Sequence, residues 1–156
     1  MKKPIWLMLV CAPFLAGGQA AGTHFDGTWT TTMGCEASEH MPAYKWTFVS
    51  TITNGAYHGQ HGEEGGPGYM VMDGPIHADG SARLHAKGTV QAGKAGLVTQ
   101  LKGNKYDYYV DAKFTDASGT GSREVGAGIL GRACSFQFTK QTDMPAAPPA
   151  APPPAQ

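Results

Sequence analysis

Several things are scarce in this chain of 156 residues, and each scarcity removes a class of function. Charged residues make up only 15 % of it, and Lys and Arg do not outnumber Asp and Glu. Without a basic surplus there is little to neutralise phosphates, so nucleic acid is not an expected partner. No stretch keeps a helical period. The longest apolar run, Pro4 to Ala16, is shorter than the ~20 residues a membrane-spanning helix needs. No GxSxG elbow is present, and the serines sit in turns or on strand faces without a His and Asp pattern, so acyl-transfer chemistry has no nucleophile. Paired carboxylates are equally rare: Asp107 and Asp111, four residues apart on one strand, would stand ~13 Å apart, too far for a retaining glycosidase pair. No cofactor is expected, and the chain is expected to be non-enzymatic.

Cysteine is scarce too, and its placement is informative. Cys11 lies in MKKPIWLMLVCAPFLAGGQA, residues 1–20, where two lysines precede a short apolar run and small residues close the segment. That is the layout of a secretory signal peptide, with cleavage expected after Ala20. A lipoprotein signal ending at Cys11 is the rival reading, but Met8, Leu9 and Val10 suit it badly. Twelve Lys and Arg, less Lys2 and Lys3, leave ten against twelve Asp and Glu, a mature net charge of about −2. The expected location is the periplasm or the extracellular space. There Cys35 and Cys134 are expected to pair, with free or metal-bound thiols as the alternative.

The chain divides into this signal segment, a domain over residues 21–142 and a Pro/Ala-rich tail over residues 143–156. In the tail, alanine favours a helix and proline forbids one, so an extended, disordered and solvated tail is expected, with a spacer or a docking strand for a partner as the alternative.

What fills the domain is a succession of short alternating segments separated by Gly, Asn or Asp turns. Phe25 to Met33 sets Phe25, Gly27, Trp29, Thr31 and Met33 on one face. Tyr44 to Ile52 sets Tyr44, Trp46, Phe48 and Ile52 together. Asn54-Gly55 is the pair that a type I′ hairpin needs, so Ala56 to His61 should run back beside the second strand. Tyr69 to Ile76, Ala82 to Val90 and Lys105 to Phe114 follow, the last with Tyr106, Tyr108, Val110, Ala112 and Phe114 on one face. DASGTG, residues 116–121, reads as a turn before a seventh strand around Ser122 to Val125, and Ala133 to Lys140 closes the domain.

The expected fold is therefore all-β, with about eight antiparallel strands in sequential order. An open sandwich and a closed up-and-down barrel both satisfy the pattern, but closure removes the exposed edges. Cys35 lies just after the first strand and Cys134 begins the last, and in an antiparallel closed barrel the end of the first strand lies beside the start of the last. A Cys35–Cys134 disulfide would fasten that seam.

Gly27-Thr28-Trp29 resembles the GxW signature that opens lipocalins and the related avidin-like barrels, the calycin-like group. The chain is also similar to small exported bacterial proteins that open with F-D-G-x-W and carry a cysteine near the last strand. The resemblance implies that Trp29 plugs one end of the barrel and that a late arginine, Arg123 or Arg132, packs across it.

Two groups of residues are candidates for binding. Large rings on inward faces could fill the interior or line a cavity for one small ligand. Trp29, Trp46, Tyr106, Tyr108, Met70 and Arg123 are the expected ligand-binding set, with Met72 beside Met70 as an apolar wall. The second group is HGQHGEEGGPG, residues 58–68. On a strand His58 and His61 face opposite ways, so a shared metal site needs a break at Gly59 or Gly62, after which His61 with Glu63 or Glu64 could hold zinc or copper. Otherwise the segment reads as a mobile loop at the barrel mouth, together with Gln91 to Asn104. The expected partner is a small, partly apolar ligand or an envelope protein, and the chain is expected to be a monomer.

Overall fold

The computed structural model describes residues 21–38, 42–91, 103–123 and 132–142. The expected signal segment, the tail, most of the loop from Gln91 to Asn104 and Glu124 to Val125 lie outside the described residues.

Eight antiparallel strands close into a barrel in sequential order. They are β1 (Gly27–Cys35), β2 (Tyr44–Thr53), β3 (Ala56–His61), β4 (Met70–Pro75), β5 (Ser81–Thr89), β6 (Lys105–Phe114), β7 (Ser118–Arg123) and β8 (Cys134–Lys140). A 3-10 turn, Thr23–Phe25, precedes β1. The first and last strands pair from Trp29↔Lys140 to Cys35↔Cys134, so the sheet has no free edge there. The two cysteines are bonded, with an S–S distance of 2.03 Å across that seam.

Alternation decides which side chains enter the barrel. Trp29, Thr31, Met33 and Cys35 are all buried, and the residues between them are half-exposed. The same rhythm runs through β6 and β8 and puts Val110, Phe114, Phe136 and Phe138 in the core. Met70, Met72, Leu84 and Ala86 fill the wall opposite. The core also holds a polar knot: Thr31 Oγ1 lies 2.8 Å from Ser50 Oγ and 2.7 Å from Tyr57 Oη. Three buried hydroxyls thus satisfy one another, as burial requires. Gly59 makes this arrangement fit, since a Cβ there would sit 2.7 Å from Tyr57 Oη and 2.9 Å from Phe48 Cε2.

The lower end is closed by backbone geometry as well as by packing. Asn54 and Gly55 take positive φ values of 52° and 72°, the conformation a type I′ turn demands. Both amides of that turn donate to the Asp26 carboxylate, at 2.8 and 2.9 Å. Phe25 belongs to the 3-10 turn and not to β1, because the Phe25 amide donates to Gly22 O and the Asp26 amide to Thr23 O. Its ring is nevertheless buried at 2 % exposure beneath the barrel.

The seventh strand differs from expectation. It begins at Ser118, and the turn is confined to Thr115 to Ala117, where the Thr115 amide donates to Ser118 O at 2.7 Å. Gly119 and Gly121 are not turn residues. They line the inner wall, where a Cβ would come within 3.0 Å of Phe114 Cδ1 and 3.1 Å of Val110 Cγ1. These glycines make room for neighbouring rings, a use that composition alone does not distinguish from turn formation. Smaller shifts put the start of β1 at Gly27, β4 at Met70–Pro75, β5 at Ser81–Thr89 and the start of β8 at Cys134.

Candidate functional site: an aromatic and arginine mouth

The register fixes which residues share the upper rim. Tyr44 pairs with Cys35, Cys35 with Cys134, and Cys134 with Arg123. On the other side His61 pairs with Met70, Met70 with Gly88, and Gly88 with Tyr106. The two rows close over the same end of the barrel. Tyr44, Trp46, His61, Tyr106, Tyr108 and Arg123 alternate into the barrel there, and all six are only partly buried.

These side chains are stacked on one another. The Trp46 and His61 rings are parallel to within 5° at 4.2 Å, and Tyr44 leans on Trp46 at 4.9 Å. Tyr106 and Tyr108 lie 5.7 Å apart with an interplanar angle of 15°. Gly88 leaves space for this pair, since a Cβ there would stand 2.6 Å from Tyr106 Oη. Arg123 places its guanidinium carbon 4.2 Å over the Tyr108 ring, and Arg132 does the same at 4.3 Å over Tyr44. Both lie within the range of a cation–π contact. The floor of the mouth is thioether: Tyr108 Oη lies 3.6 Å from Met33 Sδ and 3.5 Å from Met70 Sδ, two acceptors for its single O–H proton.

Burial raises the pKa of Tyr44, Tyr106 and Tyr108, so all three phenols stay neutral at physiological pH. Neighbouring phenols reinforce the shift at Tyr106 and Tyr108. The guanidiniums oppose it, Arg123 at all three rings and Arg132 at Tyr44 and Tyr108. Among the described residues no carboxylate contributes to these shifts.

Of the expected ligand-binding set, Trp46, Tyr106, Tyr108, Met70 and Arg123 meet at the mouth. Trp29 does not join them. It lies six residues below Cys35 on β1, ~20 Å away along the strand, and is wholly buried with Nε1 donating to Phe25 O at 3.0 Å. The expectation that Arg123 or Arg132 packs across Trp29 is overturned, because both stack on tyrosines at the other end. The cation near Trp29 is Lys140, with Nζ 5.9 Å from the ring centroid. Tyr44 and Arg132 enter the site without having been expected in it. Tyr44 was visible as the inward partner of Trp46, whereas Arg132 belongs to no alternating pattern.

The segment from His58 to Gly68 resolves in parts. β3 ends at His61 and the chain turns at Gly62, where φ is +76°. His58 faces outward, and its Nδ1 lies 2.6 Å from Asp73 Oδ1 on an exposed face. His61 faces inward, stacked on Trp46, with Nδ1 3.1 Å from Gly68 O. Glu63 and Glu64 are exposed in the turn. Among the described residues no three His, Cys, Asp or Glu side chains are grouped to hold a metal. The loop is also tied down: the Gly68 amide donates to Thr89 O at 3.2 Å, and Thr89 Oγ1 donates to Gly66 O.

No helix among the described residues is long and apolar enough to cross a membrane. Compared with known protein families, curated proteins and solved structures, the chain matches none of them; its architecture is an eight-stranded up-and-down barrel, consistent with a calycin-like fold.

Proposed function

We propose that this protein is an exported, non-enzymatic barrel that binds a small, partly apolar molecule at its upper end. The observation that carries the reading is the contrast between the two ends. The lower end is sealed by Phe25, Trp29 and Phe114, all buried to 2 % exposure or less. The upper end gathers partly exposed rings and guanidiniums above the buried thioethers of Met33 and Met70. Aromatic and thioether groups supply adaptable apolar contact, and a few polar groups among them orient a ligand. They stack and donate hydrogen bonds, which suits binding better than bond cleavage.

Export is supported by the signal-like segment of residues 1–20 and by the buried disulfide, which persists in an oxidising compartment. The Gly27-Thr28-Trp29 resemblance to lipocalin-type barrels points the same way. A second reading, a structural or interaction module of the cell envelope, is favoured by one observation. Trp29, Met33, Tyr57, Met72, Phe136 and Phe138 fill the interior below the mouth, so any ligand is held shallowly.

Native mass spectrometry of the protein isolated from its own export compartment separates the two. A small molecule retained under native conditions and lost on denaturation supports binding. A bare monomer that also fails to take up apolar probes overturns it. The same spectrum reports the Cys35–Cys134 bridge as a loss of two hydrogens.

A further inference from the structure

Beneath the rings two thioethers converge. Met33 Sδ on β1 and Met70 Sδ on β4 stand 3.6 and 3.5 Å from one atom, Tyr108 Oη, and both side chains are wholly buried. Register brings an imidazole to the same level. Met70 pairs with His61 and Met33 with Trp46, and the Trp46 and His61 rings are stacked at 4.2 Å. Cross-strand partners on one face hold their Cβ atoms ~5 Å apart. Met33, Trp46, His61, Met70 and Tyr108 thus form a closed circuit, each joined to the next by register, by stacking or through the phenol.

His61 is held as a ligand would be. Its Nδ1 lies 3.1 Å from Gly68 O, and a carbonyl only accepts, so Nδ1 carries the proton. In the neutral imidazole the lone pair is then on Nε2, which makes no hydrogen bond among the described residues. A backbone carbonyl on the other ring nitrogen is the usual support of a metal-bound histidine, and the Trp46 stack fixes the plane of the ring.

Donor chemistry sets the ion. Two thioethers and an imidazole are uncharged, and soft thioether sulfur favours Cu(I) and its analogue Ag(I). No carboxylate acts on Tyr108 at the centre of the cluster, whereas the Arg123 and Arg132 guanidiniums do. A divalent ion there meets twice the repulsion that a monovalent one meets, with no anionic ligand to offset it.

We propose that Met33, Met70 and His61 form a binding site for a soft monovalent cation, Cu(I) or Ag(I), beneath the aromatic mouth. The two sulfurs and Nε2 bind the ion in the ground that the Tyr108 hydroxyl now spans. The rotatable bonds of methionine let the sulfurs close on it. No electron is transferred, and the ion arrives and leaves as the monovalent cation.

Titration of the oxidised protein with silver nitrate, followed by native mass spectrometry and tryptophan fluorescence, makes the test. One Ag(I) is expected per chain, with quenching that Trp46→Phe abolishes. Met33→Leu, Met70→Leu and His61→Phe, the last of which keeps a ring on Trp46, should each weaken binding at least about tenfold. Near-ultraviolet circular dichroism confirms the fold of each variant, and excess Zn(II) should not displace the silver. If a variant does not fold, the methionine ε-methyl NMR signals of the wild type decide: two should shift with one equivalent of Ag(I) and the others stay. Absence of one-to-one binding, unchanged affinity in the folded variants, displacement by zinc, or shifts spread over all the methionines overturns the site. The small-molecule function proposed above fails separately, since a protein that binds silver and no apolar probe, or the reverse, refutes only one of the two.

Discussion

Replacing Cys35 and Cys134 together with alanine would open the covalent seam and leave the hydrogen-bonded one in place. β1 and β8 still pair over seven register positions, so the native barrel need not change. The effect falls mainly on the unfolded chain. The cysteines are 99 residues apart, and releasing a closed loop of that size restores chain entropy worth about 4.7 kcal/mol at 25 °C. Truncating two side chains that are 4 % and 3 % exposed adds on the order of 1 kcal/mol of lost packing. Because domains of this size are typically stable by only about 5–15 kcal/mol, the variant should sit near the edge of folding. Urea titrations of the oxidised wild type and the double variant measure this directly. The midpoint should fall, and the slope should rise, because the released chain exposes more surface when unfolded. Wild type in reductant should behave like the variant. A loss below about 1 kcal/mol with an unchanged slope would refute the reasoning, since the bridge would then not restrict the unfolded state.

Three further perturbations probe the core and the lower end. Tyr57→Phe removes the hydroxyl that meets Thr31 at 2.7 Å and should cost about 1 kcal/mol at neutral pH. It should also remove a share of the alkaline sensitivity. Burial above all raises the Tyr57 pKa to about 12, against the hydrogen bonds from Ser50 and Thr31 that lower it. Between pH 10 and 12 the unfolded chain therefore loses a proton that the folded barrel keeps. Stability should be unaffected below pH 10 and fall by about 2–3 kcal/mol as pH rises through 12. Urea midpoints at pH 8 and pH 11.5 check both effects. Gly59→Ala should cost about 1–3 kcal/mol through the clash with Tyr57 Oη and Phe48. Part of this should be recovered in the Gly59→Ala, Tyr57→Phe double variant, so strictly additive losses would contradict the contact. Asp26→Ala removes the acceptor for the Asn54 and Gly55 amides and should lower the thermal midpoint by several degrees, for a loss of about 1–2 kcal/mol. No change would mean that the turn holds itself.

Much of the barrel was legible because a strand with one buried face writes its period into the sequence. Ala56–His61 and Lys105–Phe114 were delimited to the residue, since alternation and an Asn-Gly turn left no other register for them. β7 was not. Its inner positions are Gly119, Gly121 and Arg123, so the apolar rhythm is missing and the glycines read as a turn. Their purpose is visible only once Phe114 and Val110 occupy the space in front of them.

The site divides in the same way. Alternation placed Trp46, Tyr106 and Tyr108 inward, but it could not say how high in the barrel each ring would stand. Trp29 looked as eligible as Trp46 and proved to lie at the opposite end. The arginines show the limit most clearly. A resemblance to known barrels sent one of them to Trp29, yet the register carries Arg123 to the rim beside Cys134, and backbone carbonyls hold Arg132 there.

The sequence by itself determined the all-β class, the order of the strands, the two faces of nearly every one and the pairing of Cys35 with Cys134. These follow from local periodicity and from there being just two cysteines beyond the signal-like segment, Cys35 and Cys134. Only the tertiary structure decided which inward residues share an end, which glycines open space and what the arginines stack upon. Those depend on the relative register of strands far apart in the chain, and a two-residue period repeats identically at every height of the barrel.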